Sequence, residues 1–330
     1  MTSPSRTEHF VTLFDSAFFP AGFCLHRSLM KFAQPFRLWV ICLDELSAGV
    51  LKDLALPSVT PLPLPAFETP DLLRVKGERS TIEYYWTLTP FTFQWVFEQD
   101  AEVHRVTYLD ADLYIFKSPS VLLDEMSDDS HVLVTEHAYG PQYDQTDTAG
   151  RFCVQFTSFR RSAPAQRIMQ WWQDRCLDWC YNRVEPGRFG DQKYLDEWPS
   201  LFGDDLHIVR QRELTLAPWN IRHFYANHGP YFPVFYHFHG LRMASPHVIR
   251  LSHGYRLPRE SRHLYRVYLR DFIRGIKAAR LHGVEPSRLL TLPEEEAQIS
   301  FSERRRRVLK HKTEMWSFHC PVLPSLFAIL

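Results

Sequence analysis

Apolar runs that stop at acidic residues, separated by stretches with helical spacing, open this chain. "HFVTLFD" (9–15) reads as a buried strand ending at Asp15. "PAGFCLHRSLMKFA" (20–33) then places Phe23, Leu25, Leu29 and Phe32 at helix-like intervals. "FRLWVICLDE" (36–45) is a second strand, again ending in acids, and "SAGVLKDLALP" (47–57) reads as a short helix capped by Ser47. Strands alternating with helices at this spacing predict an α/β fold with a mostly parallel central sheet flanked by helices. The 330 residues suit one large domain with an appendage.

The rest of the chain keeps the pattern. "STIEYYWTLTPFTFQWVFEQ" (80–99) is aromatic and helical, with Pro90 as a break. "EVHRVTYLDADLYIF" (102–116) is the strongest strand, and "HVLVTEH" (131–137), "RFCVQFTSF" (151–159) and "DLHIVRQ" (205–211) are further ones. Residues 162–183 form a helix whose stripe of Ile168, Trp172, Cys176, Trp179 and Cys180 faces the core. From about 258 onward the chain reads as helical and basic. Basic and acidic residues balance at 38 each, which gives no field for nucleic acid. Six cysteines show neither disulfide-framework nor zinc-finger spacing, so a reducing compartment is expected. Neither a secretory leader nor a membrane-spanning run is read in the sequence, which predicts a cytoplasmic protein.

"RVTYLDADLYIF" (105–116) is the costliest stretch. Read as one strand, it turns Asp110 and Asp112 to the same face. Two carboxylates this close repel, and burying an unpaired one costs several kcal/mol or shifts its pKa. Three arrangements relieve the cost: solvent at the sheet's carboxyl edge, basic partners, or a hard divalent cation. The carboxyl ends of strands are also where open α/β sheets bind ligands. "YHFHG" (236–240) likewise sets His237 and His239 on one strand face, as cation ligands or as ordinary hydrogen-bonded histidines.

These segments, in this order, resemble a known group. "TLFDSAFFPAGFCLHRSL", "VTYLDADLYIF", "FGDQKYLDEWP", "LAPWN" and "YHFHG" are similar to successive motifs of GT-A-fold nucleotide-sugar glycosyltransferases, in particular the family 8 enzymes, across residues 9–245. The resemblance implies a GT-A domain over 1–255 and a helical, basic extension over 256–330. It implies that Asp110, Asp112 and His237 hold Mn²⁺ or Mg²⁺. Asp15 would bind the base or ribose of a UDP-sugar, with Phe18 stacked on the base. Asp191 and Gln192 would face the donor sugar, with Gln192 near the anomeric carbon of a retaining transfer. His239, Gly240 and Arg242 complete the implied donor site. The chain departs from the family pattern at Ala17, at Thr87 where arginine is expected, at "CVQF" with Gln155 as the nearest polar substitute, and at Arg242 in place of lysine. The departures mark a divergent branch.

Two other classes compete with this one. A sugar-phosphate nucleotidyltransferase needs a glycine-rich basic loop after its first strand, and "DSAFFPAGF" has one glycine and no lysine. A decayed sugar-nucleotide-binding protein would have little reason to keep both aspartates, Gln192 and His237. The sequence leaves the acceptor open: a glycan or lipid-linked acceptor, a surface polysaccharide, a protein and a small molecule all fit it. "RRRR" at 304–307, followed by an apolar end, reads either as a contact with the inner membrane face or as a solvated basic helix with a packed terminus.

Overall fold

The computed structural model describes residues 7–245, 248–290 and 319–321. The strands in chain order are β1 (Glu8–Phe14), β2 (Phe36–Cys42), β3 (Val59–Pro63), β4 (Arg105–Leu109), β5 (Leu113–Ile115), β6 (Val132–Glu136), β7 (Phe152–Arg160), β8 (Leu206–Ile208), β9 (Thr215–Leu216) and β10 (Phe235–His237). A seven-stranded sheet runs in the order β3-β2-β1-β4-β7-β6-β8. Only β7 runs against its neighbours, so the sheet is mostly parallel as expected. A second sheet, β5-β10-β9, abuts it, and Arg242–Ser245, Val248–Arg250 and His319–Pro321 form a third.

Side-chain alternation divides the interior into two cores. Phe10 and Phe14 of β1, with Leu38, Val40 and Cys42 of β2, pack under the helices Phe19–Phe32 and Arg262–Leu281. Val11, Trp39 and Ile41 turn the other way, toward the helices Thr81–Leu88, Phe91–Gln99 and Ala163–Asp178. Both sheet faces are covered, which is why these strands read as continuous apolar runs. The helix Arg262–Leu281 lies against Phe19–Phe32 so closely that a Cβ on Gly275 would sit 2.9 Å from the Pro20 backbone. Tyr265, Tyr268 and Phe272 of that helix thereby enter the same core as Phe10.

Several local readings change. The cap of the helix Glu45–Leu54 is Asp44, which accepts from the Ser47 backbone N–H at 2.8 Å, not Ser47 itself. Pro90 does separate two helices, as the sequence predicts. The helix after Ser162 ends at Asp178, so Trp179 and Cys180 lie past it, though both stay buried in the same core. The stretch 105–116 is two strands in two sheets rather than one. The tail at 304–307 lies outside the described residues. Among those that are described, no helix is long and apolar enough to cross a membrane.

Candidate active site

The acidic pair stands where the chain leaves one sheet for the other. After β4, the Asp110 N–H donates to the Gln155 carbonyl of β7 at 3.0 Å. The Leu113 N–H then donates back to the Asp110 carbonyl at 3.0 Å, closing a turn. The alternation argument for Asp110 and Asp112 therefore fails, because the turn and not a strand face brings them together. β5 follows at once and pairs antiparallel with β10, opposing Leu113 to His237. The Phe238 N–H donates to the Asp112 carbonyl at 2.9 Å, so the pairing continues up to the turn.

This register delivers His237 to the aspartates. Its Nε2 lies 2.9 Å from Asp112 Oδ1 and 3.7 Å from Asp110 Oδ2. One ligand atom from each of the three side chains lies within 4.8 Å of the other two. Gln155, expected at the donor, is 1% exposed, and its Oε1 accepts from His237 Nδ1–H at 2.7 Å. That bond fixes the ring and leaves Nε2 facing the carboxylates. Burial alone would raise Asp112, but the charge and hydrogen bond of His237, with Arg242, hold it below the usual carboxylate range. Burial raises Asp110 to about 6; His237 pulls against this and Asp112 adds to it.

A cleft of about 310 Å³ opens beside the pair, with Asp15, Phe18, Tyr85, Trp86, Tyr108, Asp110 and Asp112 in its lining. Asp15 Oδ1 accepts from the Phe18 N–H at 3.0 Å, and burial raises its pKa. The Arg242 guanidinium lies 4.7 Å from the centre of the Phe18 ring, and its Nη1 is 3.9 Å from Asp112 Oδ2. Phe18 in the lining and Arg242 behind it, more than 220 positions apart in sequence, thus meet. Asp191 is 7% exposed; burial first, then the charge of Asp110, push its carboxyl up to about 7. The Trp172 indole N–H donates to the Asp191 carbonyl at 2.8 Å and anchors it. Gln192 Nε2 donates to the Ala149 carbonyl at 2.7 Å.

His239 is exposed and meets His237 edge-on, with ring centres 5.4 Å apart. Gly240 has φ +77°, and a Cβ there would lie 2.8 Å from the His253 nitrogen. Thr87 points away from the site: it is fully buried and donates to the Glu83 carbonyl within its own helix at 2.8 Å. Its neighbours Tyr85, Trp86 and Thr89 line the cleft instead. Sequence reasoning assigned no role to the pair in "LAPWN". The Trp219 indole N–H and the Asn220 amide both donate to the His137 carbonyl, at 2.7 and 3.0 Å. They tie the end of β6 to the small sheet carrying His237, and the Trp219 ring packs 5.4 Å from His237.

No protein-family model matches the sequence. The uncharacterized protein YfnF of Bacillus subtilis (strain 168) is 30% identical over 249 residues, covering 69% of this chain and 80% of its own. The chain belongs to the YfnF family. A second B. subtilis protein, the uncharacterized YfnD, is 26% identical to this YfnF-family chain over 284 residues, covering 82% of it and 90% of YfnD. Among solved structures, the apo form of the glycosyltransferase GlyE from Streptococcus pneumoniae TIGR4 superposes with a TM-score of 0.50 at 12% identity, over 82% of this chain and 62% of GlyE. The fold of this YfnF-family chain is that of the GT-A glycosyltransferases.

Proposed function

We propose that the protein is a metal-dependent glycosyltransferase that moves a sugar from a UDP-sugar to a glycan or lipid-linked acceptor with retention of configuration. The observation that carries this reading is the meeting of Asp110, Asp112 and His237 at the edge of an aromatic cleft. Two carboxylates and an imidazole fit Mn²⁺ or Mg²⁺, and Gln155 already holds the Nδ1–H away from the ligand side. When bound, such an ion supplies Lewis-acid stabilisation of the departing nucleoside diphosphate.

The chain's own groups divide the remaining work. Phe18 offers a face for the base, and Asp15 a carboxylate for base or ribose. Arg242, stacked on Phe18, is placed to meet a phosphate, where a guanidinium can bind two oxygens at once. Asp191, pushed up to about 7, can both donate to and accept from sugar hydroxyls near neutral pH. Gln192 is held through its Nε2 by Ala149, which leaves its Oε1 for the positive charge that develops at the anomeric carbon. A neutral amide is a poor nucleophile, so a front-face transfer suits this site better than a covalent intermediate. Cytoplasmic placement at the inner membrane face would suit a lipid-linked acceptor.

Calorimetric titration with UDP, in Mn²⁺ and in EDTA, tests the reading. The wild type should bind UDP with Mn²⁺ and lose at least tenfold in EDTA, and Asp112→Asn should lose a similar factor in Mn²⁺. Equal affinity under the two conditions would remove the metal from the scheme. Release of pyrophosphate from UTP and a sugar phosphate would identify a nucleotidyltransferase instead.

A further inference from the structure

The chain carries 38 basic and 38 acidic residues, yet residues 256–290 hold nine arginines and lysines against three acids. Part of this excess faces a cleft of about 700 Å³ between the helix Ile221–His228 and the segment 256–260. Arg222 enters from the helix, and Arg256 and Arg259 from the segment, with Glu260 beside them. The side chains of Arg222 and Arg259 form no ion pair among the described residues. Guanidinium groups gathered around one concavity repel each other, and an anion that fills the space relieves the repulsion. Their fork of donors matches phosphate oxygens in particular.

The cleft connects to the candidate active site through aromatic rings. The Arg256 N–H donates to Tyr143 Oη at 2.7 Å, and the Tyr143 ring meets Tyr255 edge-on at 5.1 Å. Tyr255 lies 6.1 Å from His239 and 6.0 Å from Trp219, which in turn packs 5.4 Å from His237. Rings with an apolar face and a polar edge suit saccharides, which present the same mixture. The other basic cleft, around Arg27, Lys31, Arg270 and Arg274, differs in having a carboxylate bound to its arginines. There Asp271 already accepts from Arg274 at 2.9 Å and lies 3.8 Å from Arg27.

We propose that the cleft lined by Arg222, Arg256 and Arg259 binds the phosphate or diphosphate of a phosphorylated saccharide acceptor. The word acceptor rests on the glycosyltransferase reading; the phosphate site itself does not. The full-length chain is titrated calorimetrically in EDTA with inorganic pyrophosphate, with glucose 1-phosphate, and with glucose as the uncharged control. Pyrophosphate and glucose 1-phosphate should bind and glucose should not, and the triple variant Arg222→Gln, Arg256→Gln, Arg259→Gln should weaken pyrophosphate at least tenfold. Circular dichroism checks that the variant folds, and the three single variants, each weakened in part, serve if it does not. Equal pyrophosphate affinity in wild type and variants overturns the proposal. So does a triple variant that loses only its binding to phosphatidylglycerol vesicles, which would assign the arginines to a lipid surface. UDP titrated separately with Mn²⁺ reads the donor cleft: its failure would sink the glycosyltransferase reading and leave the phosphate result standing.

Discussion

Replacing Gln155 by leucine should weaken metal binding without touching a metal ligand. Both partners of the His237–Gln155 bond are buried, at 5% and 1% exposure, and the bond is 2.7 Å long. In the leucine variant the Nδ1–H has no acceptor, which costs about 1–3 kcal/mol in a buried site. The ring can escape by giving up the Nδ1 proton and keeping the one on Nε2, where Asp112 Oδ1 accepts at 2.9 Å. That shift occupies the lone pair a cation needs. Binding must then restore the strained tautomer at roughly the same 1–3 kcal/mol, a loss of about 5- to 150-fold in affinity. Titration of free Mn²⁺ by electron paramagnetic resonance measures the loss directly, and histidine ¹⁵N spectra of the metal-free protein show which nitrogen holds the proton. Gln155→Glu, which still offers an oxygen to Nδ1–H, should stay within about threefold of wild type. Unchanged Mn²⁺ affinity in Gln155→Leu, with His237 still protonated at Nδ1, would refute the reasoning.

Two further outcomes concern the frame of the site. Asn220 is 1% exposed and makes three bonds, accepting from the Ala217 N–H at 2.8 Å and donating to His137 and Thr215 carbonyls at 3.0 and 3.1 Å. Asn220→Ala should cost roughly 2–4 kcal/mol in urea denaturation, and a midpoint equal to wild type would show that these bonds contribute nothing net. Burial lowers His137 to about 3, against the favourable bond to the Gly150 carbonyl. The folded state therefore binds fewer protons than the unfolded chain below about 6.5, and this residue's share of stability falls as pH drops, by about 1.4 kcal/mol per unit. Asp110 and Asp191, raised to about 6 and about 7, act with the opposite sign, so only the difference between wild type and His137→Gln isolates the effect. That difference should shrink between pH 6.5 and pH 5; a constant difference would place the His137 pKa near its free value.

Periodicity carried most of the fold. Phe10, Val11 and Phe14, like Leu38, Trp39 and Val40, alternate between two cores, and each apolar run was legible as a strand for that reason. The same signal hid the break after Leu109, because Leu113 and Ile115 are as buried as the β4 residues before them. An apolar run does not record which sheet each half joins. Both Asp44 and Ser47 are good caps, and what distinguishes Asp44 is the Ser16 backbone and hydroxyl that also reach it from the turn after β1. The ligand residues were legible as types that hold cations. Gln155 was read for its similarity to an amide in other proteins, and its actual partner lies 82 residues away. The Phe18–Arg242 stack and the Trp219–His137 tie are likewise products of tertiary contact, invisible to any local window.

The pairing of β5 with β10 has a consequence for how such a chain can change. Each strand is three residues long, and their alignment alone sets His237 opposite Leu113 and beside Asp112. The intervening stretch contains β6, β7 and the helix Ala163–Asp178, and loops within it can lengthen or shorten without moving any ligand. One residue inserted within 113–115 or 235–237 would instead turn a ligand to the opposite side of its sheet. Duplicated copies of the gene could therefore diversify in loop length while keeping this corner, and loss of activity should be traced first to indels in these six positions.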